Sequence, residues 1–234
     1  PPGGPQAASY GNGCWLSPMS VIPPAVPGLW RKVPGFLVDP LGPLAIRWSY
    51  LPRVAPWLLR YLLSGWTEAR VARTAVALRA LLRDAPAWHA RLAEEAGVGG
   101  LIHRRGLIYV YPDRAAFEAE AMAWRIRHQV GVRWIELSAE KLYQREPALH
   151  RRYGFGILVE EGGHCADPGG YVAALVALAR AQVARLLARR GTGFRIEGGR
   201  LRAVLTDGEE IAADKAVIAA GAHSRPLALA AGDR

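Results

Sequence analysis

Small residues follow an apolar run near the end of the chain, at residues 215–224. Val217 and Ile218 carry the β-branched side chains typical of strands, whereas residues 219–221 are Ala-Ala-Gly. This pattern predicts a buried strand of a parallel sheet. Ligands of open α/β sheets bind at the carboxyl ends of such strands, where a glycine lets them approach the backbone. The run therefore predicts either a ligand-binding strand end or a core strand followed by an ordinary loop.

The residues that precede this run have the pattern of a hairpin. Residues 201–205 are a short apolar run that lies between the turn pairs Gly198-Gly199 and Asp207-Gly208. Such spacing predicts a strand, a tight turn and a second strand.

Two other stretches combine small residues with side chains that can contact a ligand. Residues 9–18 read S-Y-G-N-G-C-W-L-S-P, a composition that suits a turn beside a ligand, with a plain glycine-asparagine turn as the alternative. Residues 163–168 read G-H-C-A-D-P and contain His164. Here Asp167 is predicted to cap a helix that has Pro168 in its first turn.

These stretches resemble segments of the D-amino-acid oxidase superfamily, and in particular its bacterial D-amino-acid dehydrogenase and glycine oxidase branch. Residues 214–224 match the pattern D-x-x-V-I-A-A-G-x-x-S. Residues 9–18 are similar to S-x-A-N-A-G-x-x-S-P, from which Gly11 and Gly13-Cys14 depart. The motif L-x-x-x-E-P-x-L, which recurs in the family's substrate domain, is found here and ends at Leu149.

The resemblance implies an FAD site and a substrate pocket. The implied cofactor-binding residues are Ser9, Asn12, Gly13, Cys14, Gly191, Ala220, Gly221, Ala222 and Ser224. Gly191 stands where family members commonly have valine. The implied substrate-lining residues are His164 and Trp15, and a buried structural histidine is the alternative for His164. No catalytic residue is assigned.

The dinucleotide fingerprint G-x-G-x-x-G between a strand and a helix is not found in the sequence. Gly97-Val98-Gly99-Gly100 precedes a predicted strand, which is the wrong order. The chain begins with Pro1 and lacks an initiator methionine, and the family's segment with the substrate-binding arginine is not found either. We therefore expect the chain to be a fragment of a longer flavoprotein that, by itself, binds FAD poorly and is inactive.

Composition excludes several classes of partner. The formal net charge is +10, but the arginines are scattered along helical stretches without interleaved aromatic residues, which argues against nucleic acid. Cys14 and Cys165 form no Cys-x-x-Cys motif, so no metal site is predicted and a cytoplasmic location is favoured. No apolar run reaches the length of a membrane span. Residues 57–63 predict a buried helix, with peripheral contact at the inner membrane as the alternative.

The candidate site residues must be positioned by the predicted loops, helices and strands that lie between them. Residues 1–56 are rich in proline and glycine and predict a long structured loop, whereas residues 67–96 predict a helix split near Asp84. Residues 101–103 and 107–111 are predicted to pair as strands, and further helices are predicted at residues 113–130 and 169–189. The predicted fold is α/β plus α+β. An incomplete Rossmann-like FAD domain at residues 1–56 and 165–234 encloses an α+β substrate domain at residues 57–164.

The function implied by the resemblance is FAD-dependent amine oxidation. The substrate would be a D-amino acid or a small secondary amine, and its hydride would pass to flavin N5. Oxygen and a quinone are the two candidate electron acceptors. The alternative is a noncatalytic relative or subunit that binds partners through exposed apolar residues around Trp15, Trp30 and Trp57.

Overall fold

The computed structural model describes residues 8–39 and 46–233, so parts of the predicted 1–56 loop lie outside the described residues. The helices are α1 Leu29–Val38, α2 Leu51–Ser64, α3 Glu68–Leu82, α4 Ala85–Glu95, α5 Arg114–Glu118, α6 Ala121–Gln129, α7 Ala139–Arg145, α8 Pro168–Ala181 and α9 Ser224–Ala230. The strands are β1 Trp15–Leu16, β2 Ile102–His103, β3 Leu107–Tyr111, β4 Ile135–Ser138, β5 Phe155–Val159, β6 Gly163–Cys165, β7 Gly191–Glu197, β8 Arg200–Thr206 and β9 Glu210–Ala212. The described residues up to Ala179 form one compact unit and those from Arg180 form a second.

Two three-stranded sheets lie in the first unit. One has the order β1-β6-β2 and the other β3-β5-β4, and all of these pairs are antiparallel. The prediction that residues 101–103 pair with residues 107–111 is therefore wrong. The short turn between them, whose Gly106 has φ +83°, takes β3 into the other sheet, where its partner is β5.

Strand β5 is the centre of the main core, because every one of its residues is buried. Phe155, Ile157 and Val159 pack on one face of the sheet with Trp124 of α6. Leu158 packs on the other face with Leu142 of α7. Apolar side chains on both faces explain why the strand reads as a continuous apolar run.

The helices next to this core agree with those predicted from the sequence, except that each long predicted helix is divided into two. The predicted helix at residues 67–96 is found as α3 and α4, which are separated at Asp84 as expected from Pro86. The backbone N–H of Arg70 donates to the Thr67 hydroxyl oxygen, so Thr67 caps α3. The predicted helix at residues 113–130 is found as the two shorter helices α5 and α6.

Helices α1 and α2 replace much of the loop that was predicted for residues 1–56. Their apolar residues Leu29, Val33 and Phe36, and Leu58 and Leu62, line a shared cavity of about 350 Å³. Helix α1 forms although Pro34 and Gly35, both unfavourable in helices, lie inside it. Neither helix contains a fully buried residue, so the prediction of a buried helix at residues 57–63 is also wrong.

The second unit contains the predicted hairpin. Strands β7 and β8 are joined by Gly198 and Gly199, both with positive φ, as a two-residue hairpin turn requires. Strand β9 extends this sheet on the β8 side. The helix predicted at residues 169–189 ends at Ala181, eight residues early, and β7 begins at Gly191.

The predicted parallel strand at residues 215–219 is not formed among the described residues. This segment has no strand assignment and is mostly exposed, and Val217 is 91% exposed. A strand requires a hydrogen-bonded partner, and β8 is already paired on both sides, with β7 and β9. The predicted sheet that joins residues 202–205 to residues 216–219 is therefore wrong, whereas the mixed α/β character is confirmed.

Candidate functional site

A tight turn at the start of the described chain places Trp15 in the sheet. The Asn12 side-chain oxygen accepts a hydrogen bond of 2.7 Å from the backbone N–H of Cys14, and the Cys14 thiol donates to the Asn12 carbonyl at 3.1 Å. Cys14 adopts a left-handed φ of +63°. Its carbonyl then accepts a bond of 2.9 Å from the N–H of Cys165, which starts the pairing of β1 with β6. The Asn12 side chain thus stabilises a backbone conformation that is uncommon for a cysteine.

Strand β6 brings three aromatic side chains into one row. Trp15 of β1 and His103 of β2 are both direct cross-strand partners of His164. Side chains of directly opposed residues lie on the same face of a sheet. The rings of His103 and His164 are 5.0 Å apart between centroids, and Trp15 remains 55% exposed. This row is an open aromatic surface that also carries two imidazoles.

Glycine is required beside this row. A Cβ at Gly163 would lie 2.5 Å from the carbonyl oxygen of His103. The close approach of β2 to β6, and hence the stacking of the two histidines, depends on that missing side chain.

The aromatic surface continues into the core. Trp15 makes an edge contact with Tyr109 at 5.7 Å between centroids, and Tyr109 makes another with Trp124 at 5.7 Å. The guanidinium carbon of Arg127 lies 4.6 Å from the centroid of the Trp124 ring. Burial lowers the pKa of Arg127, and its Nε and Nη1 are buried without a hydrogen-bond partner. The Trp124 ring faces this cation, and the charge of Glu120 opposes the effect of burial on its pKa.

Tyr111 connects the same core to a carboxylate. Its hydroxyl donates to Glu120 at 2.9 Å and accepts from the Trp124 indole N–H at 3.1 Å. Burial raises the pKa of Tyr111 to about 12, and the bonded Glu120 adds to this shift, whereas the Trp124 bond opposes it.

A cavity of about 270 Å³ opens where β1 meets the start of α8. Its lining includes the predicted residues Ser9, Asn12, Cys14 and Trp15 together with Cys165, His89 and Tyr171. Gly13 lies within the turn between Asn12 and Cys14, and space is open where its Cβ would be.

Polar groups at the back of this cavity are close to each other. Nδ1 of His89 lies 3.1 Å from the hydroxyl of Tyr171. Burial raises the pKa of Tyr171 and that of the Cys165 thiol. The predicted cap is confirmed, because the side chain of Asp167 accepts a bond of 2.9 Å from the N–H of Gly170 at the start of α8. The buried face of the cavity therefore presents the Tyr171 hydroxyl and the Cys165 thiol in their neutral forms at pH 7.

A second cavity, also of about 270 Å³, lies within the second unit. The predicted residues Gly191 and Ala220 contribute to its lining, together with residues 216–219. Gly221 has φ +54° and begins a 3-10 turn that ends at His223. Ala222 is inside this turn, and Ser224 is the first residue of α9. Small side chains thus contribute to an apolar depression beside the first half of β7.

Sequence reasoning missed His103, Tyr109 and His89. Each carries a polar ring at a position that local pattern assigns to a strand or helix interior. His103 becomes a candidate site residue only when its pairing with His164 is known, because the two residues belong to separate parts of the sequence. Among the described residues, no group of three or more His, Cys, Asp or Glu side chains could hold a metal ion. Within the same residues, no helix is long and apolar enough to cross a bilayer.

The comparisons with known proteins agree with one another on the family of this chain. A family model described as DAO, FAD dependent oxidoreductase, matches residues 3–234. A D-amino-acid oxidase of Bradyrhizobium diazoefficiens is 60% identical over 232 residues, which cover 99% of this chain and 55% of that protein. A D-amino acid dehydrogenase 2 of Ralstonia nicotianae is 33% identical over 97% of this chain and 54% of that protein. The chain thus spans about half the length of these relatives.

Solved structures show the same fold. Glycine oxidase from Geobacillus kaustophilus superimposes with a TM-score of 0.58 at 19% sequence identity, over 97% of this chain and 49% of that one. The comparisons give no support to the alternative of a noncatalytic, partner-binding chain.

Proposed function

The chain belongs to the DAO family of FAD-dependent oxidoreductases, and from this premise we propose that the complete protein oxidises the C–N bond of a D-amino acid or a small secondary amine. The observation that carries the proposal is the aromatic row of Trp15, His164 and His103, which adjoins the turn at residues 9–14. The names of the two relatives above supply the substrate class, a D-amino acid.

Glycines next to residues that line the two cavities leave room for a flavin cofactor. A Cβ at Gly11, Gly13 or Gly221 would meet no atom within 4 Å, so the space beside these backbones is open to a flat ring. We propose that Ser9, Asn12, Gly13 and Cys14 hold one part of FAD. We propose further that Gly191, Ala220, Gly221, Ala222 and Ser224 hold another part. Bound FAD would supply the two-electron oxidant that accepts the hydride of the substrate α-carbon at flavin N5.

The residues of this chain would bind and orient the substrate. We propose that Trp15 covers one side of the substrate and excludes water from it, and that His164 and His103 offer hydrogen-bonding groups to its polar atoms. Tyr109 supports Trp15 through its edge contact and so fixes the position of the indole. Residues 57–164 would form the substrate domain, with residues 1–56 and 165–234 in the FAD domain.

The state of the two cysteines supports a cytoplasmic location. The backbones of Cys14 and Cys165 are hydrogen-bonded neighbours, and both thiols are free. We propose a cytoplasmic location on this ground, since cysteines without a disulfide suit a reducing compartment.

The test uses the complete protein and measures flavin content and flavin reduction separately. We expect flavin absorbance in the purified protein, and bleaching of that absorbance by D-amino acids but not by their L enantiomers under anaerobic conditions. Re-oxidation by oxygen and by a soluble quinone, measured in parallel, distinguishes the two candidate acceptors. Absence of flavin, or bleaching by neither enantiomer nor by secondary amines, would contradict the proposal.

A pair of histidine variants tests the site itself. His164→Ala should raise KM more than it lowers kcat or flavin content, because it removes a substrate contact and leaves the cofactor contacts intact. His150→Ala is the control, since His150 is an exposed residue whose imidazole accepts from the Arg152 backbone. An unchanged KM in His164→Ala would show that His164 is a structural residue.

A further inference from the structure

The two cysteines of the chain, Cys14 and Cys165, lie opposite each other across two strands. The register of β1 and β6 pairs Trp15 with His164, so the next pair along these strands is Cys14 with Cys165. A hydrogen bond of 2.9 Å from the Cys165 N–H to the Cys14 carbonyl oxygen joins this pair. The amine oxidation proposed above gives neither thiol a chemical role.

The spacing of the two backbones suits a disulfide. Opposed residues of a hydrogen-bonded antiparallel pair have Cα atoms about 5.5 Å apart. Disulfide bridges in proteins join Cα atoms that are about 4.4–6.8 Å apart. A bridge between Cys14 and Cys165 therefore requires rotation of the side chains and little movement of the strands.

Both side chains also lie in the wall of the same cavity, the one of about 270 Å³ where β1 meets the start of α8. Burial raises the pKa of the Cys165 thiol, and the charge of a Cys14 thiolate adds to this shift. Because charge interactions weaken with distance, this added effect indicates that the two sulfur atoms are near each other.

The two thiols differ in exposure, which gives each of them a different part in an oxidation. Cys165 is 4% exposed, whereas Cys14 is half-buried. A small oxidant that enters the cavity therefore meets the Cys14 sulfur first. The Cys14 thiol donates to the Asn12 carbonyl oxygen at 3.1 Å, and S–H groups are weak donors, so rotation of this thiol costs little.

We propose that Cys14 and Cys165 are a site of reversible oxidation by hydrogen peroxide, which ends in a disulfide between β1 and β6. In the first step, the Cys14 sulfur attacks one peroxide oxygen, the O–O bond breaks, and a sulfenic acid and one water form. In the second step, the Cys165 sulfur attacks the Cys14 sulfur, and the sulfenic hydroxyl leaves as water with the thiol proton of Cys165. The two thiols lose two electrons, and the peroxide is reduced to two waters.

Hydrogen peroxide suits this cavity and has a source in the proposed chemistry. It is a small, uncharged hydrogen-bonding molecule, and Ser9, Asn12 and Tyr171 offer polar groups in the lining. Oxygen, one of the two candidate electron acceptors, becomes hydrogen peroxide when it takes up two electrons. The inference does not depend on that reaction, because peroxide from any source is the same reagent. In a reducing compartment other thiols would reduce the bridge again.

The experiment oxidises the complete protein and maps these cysteines. The reduced protein is treated with hydrogen peroxide, its remaining thiols are blocked with iodoacetamide, and it is digested without reductant. We expect the peptides of Cys14 and Cys165 to be joined, with a mass lower than their sum by two hydrogen atoms, and to separate in dithiothreitol. Alkylation of both cysteines, or irreversible oxidation of Cys14 without a bridge, would overturn the proposal.

The same protein in urea is the control for the contribution of the fold. In urea the two cysteines are separated by about 150 residues of flexible chain, so closure of the bridge must overcome the entropy of a long loop. The measured quantity is the ratio of bridged to reduced protein at equilibrium with reduced and oxidised glutathione. This ratio should be at least about tenfold higher in the native protein than in urea. Equal ratios would show that the sheet does not bring the thiols together.

Two serine variants test the order of the steps. In Cys165→Ser, the sulfenic acid at Cys14 has no thiol to attack it and should accumulate as a dimedone adduct. In Cys14→Ser, Cys165 should remain a thiol at the same dose of peroxide, because it is buried. The reverse pattern would overturn the assignment of Cys14 as the first thiol to react. If a variant unfolds, the joined peptides of the unsubstituted protein still decide whether the bridge forms. The mapping requires no turnover, so its failure is distinguishable from a failure of the proposed amine oxidation.

Discussion

Arg79 makes the most heavily buried ion pair among the described residues, and its removal gives a sharp prediction. Its Nη2 lies 2.9 Å from Oε2 of Glu161, and its Nη1 donates to the carbonyl oxygen of Pro18 at 2.8 Å. The Arg79 side chain is 9% exposed and that of Glu161 is 34% exposed. One side chain of α3 thereby fixes the segment after β1 and the turn before β6, the two strands that carry Trp15 and His164.

We expect Arg79→Met to lower the free energy of unfolding by about 3 kcal/mol. Methionine keeps most of the apolar stem but leaves the Glu161 carboxylate and the Pro18 carbonyl without their donor. Breaking a fully buried pair costs about 3–5 kcal/mol, and an unsatisfied buried carbonyl costs about 1–3 kcal/mol. A third of the Glu161 side chain is open to water, but its Oε1 is buried without a hydrogen-bond partner, so the carboxylate recovers only part of its solvation. The expected value is therefore at the lower end of the range.

Glu161→Gln should cost less, about 1 kcal/mol, because its amide oxygen can still accept from Arg79. The double variant Arg79→Met with Glu161→Leu should be more stable than the sum of the single effects predicts, since no unpaired charge remains. Urea unfolding of the complete protein measures these free energies. A loss below about 0.5 kcal/mol in Arg79→Met would refute the reasoning. Arg79→Met should also raise KM, because it loosens the segment beside Trp15.

Three other predictions follow from packing and from burial. Gly65→Ala should destabilise the protein by at least about 2 kcal/mol in urea unfolding, because its Cβ would lie 1.9 Å from the carbonyl oxygen of Ala25. Cys165 should react with iodoacetamide more slowly than Cys14 at pH 8, because burial raises the pKa of its thiol. Stability should fall as pH rises above about 10, where unfolded tyrosine loses its proton but folded Tyr111, with a pKa of about 12, keeps it.

Each of these predictions has an internal control. Gly35→Ala places a Cβ where no atom lies within 4 Å, inside α1, and should be neutral or stabilising. Peptide mapping after alkylation compares the two cysteines in the same sample, and equal labelling would contradict the raised pKa. Tyr111→Phe should lose less stability between pH 10 and pH 12 than the unsubstituted protein; parallel curves would show that Tyr111 is not responsible.

Local pattern predicted those elements whose formation depends on nearby residues. The hairpin of β7 and β8 has its turn signal in Gly198-Gly199, and the break between α3 and α4 has its signal at Asp84 and Pro86. The prediction of a strand at residues 215–219 was wrong, because an apolar run becomes a strand only when a second backbone lies beside it. Helices α1 and α2 were missed because Pro34 and Gly35 in α1 and Pro52 and Pro56 in α2 are residues typical of loops.

The candidate site was predictable only in part, for the same reason. Motif resemblance indicated Trp15 and His164, but their direct pairing is a matter of register between distant strands. His103 joins them through a second pairing of the same kind. The predicted flavin contacts at residues 9–14 and 220–224 remain predictions that the proposed experiments test.

The central position of β6 determines when this site can form during synthesis. Its residues pair with Trp15, about 150 residues earlier in the chain, and with His103, about 60 residues earlier. Such a high contact order makes strand pairing slow, because a long loop must close before any contact forms. On the ribosome, the turn around Asn12 emerges before β6, which is the partner of β1 among the described residues. The aromatic row is therefore assembled late in co-translational folding, and a stalled or truncated nascent chain would present Trp15 as an exposed, unpaired edge.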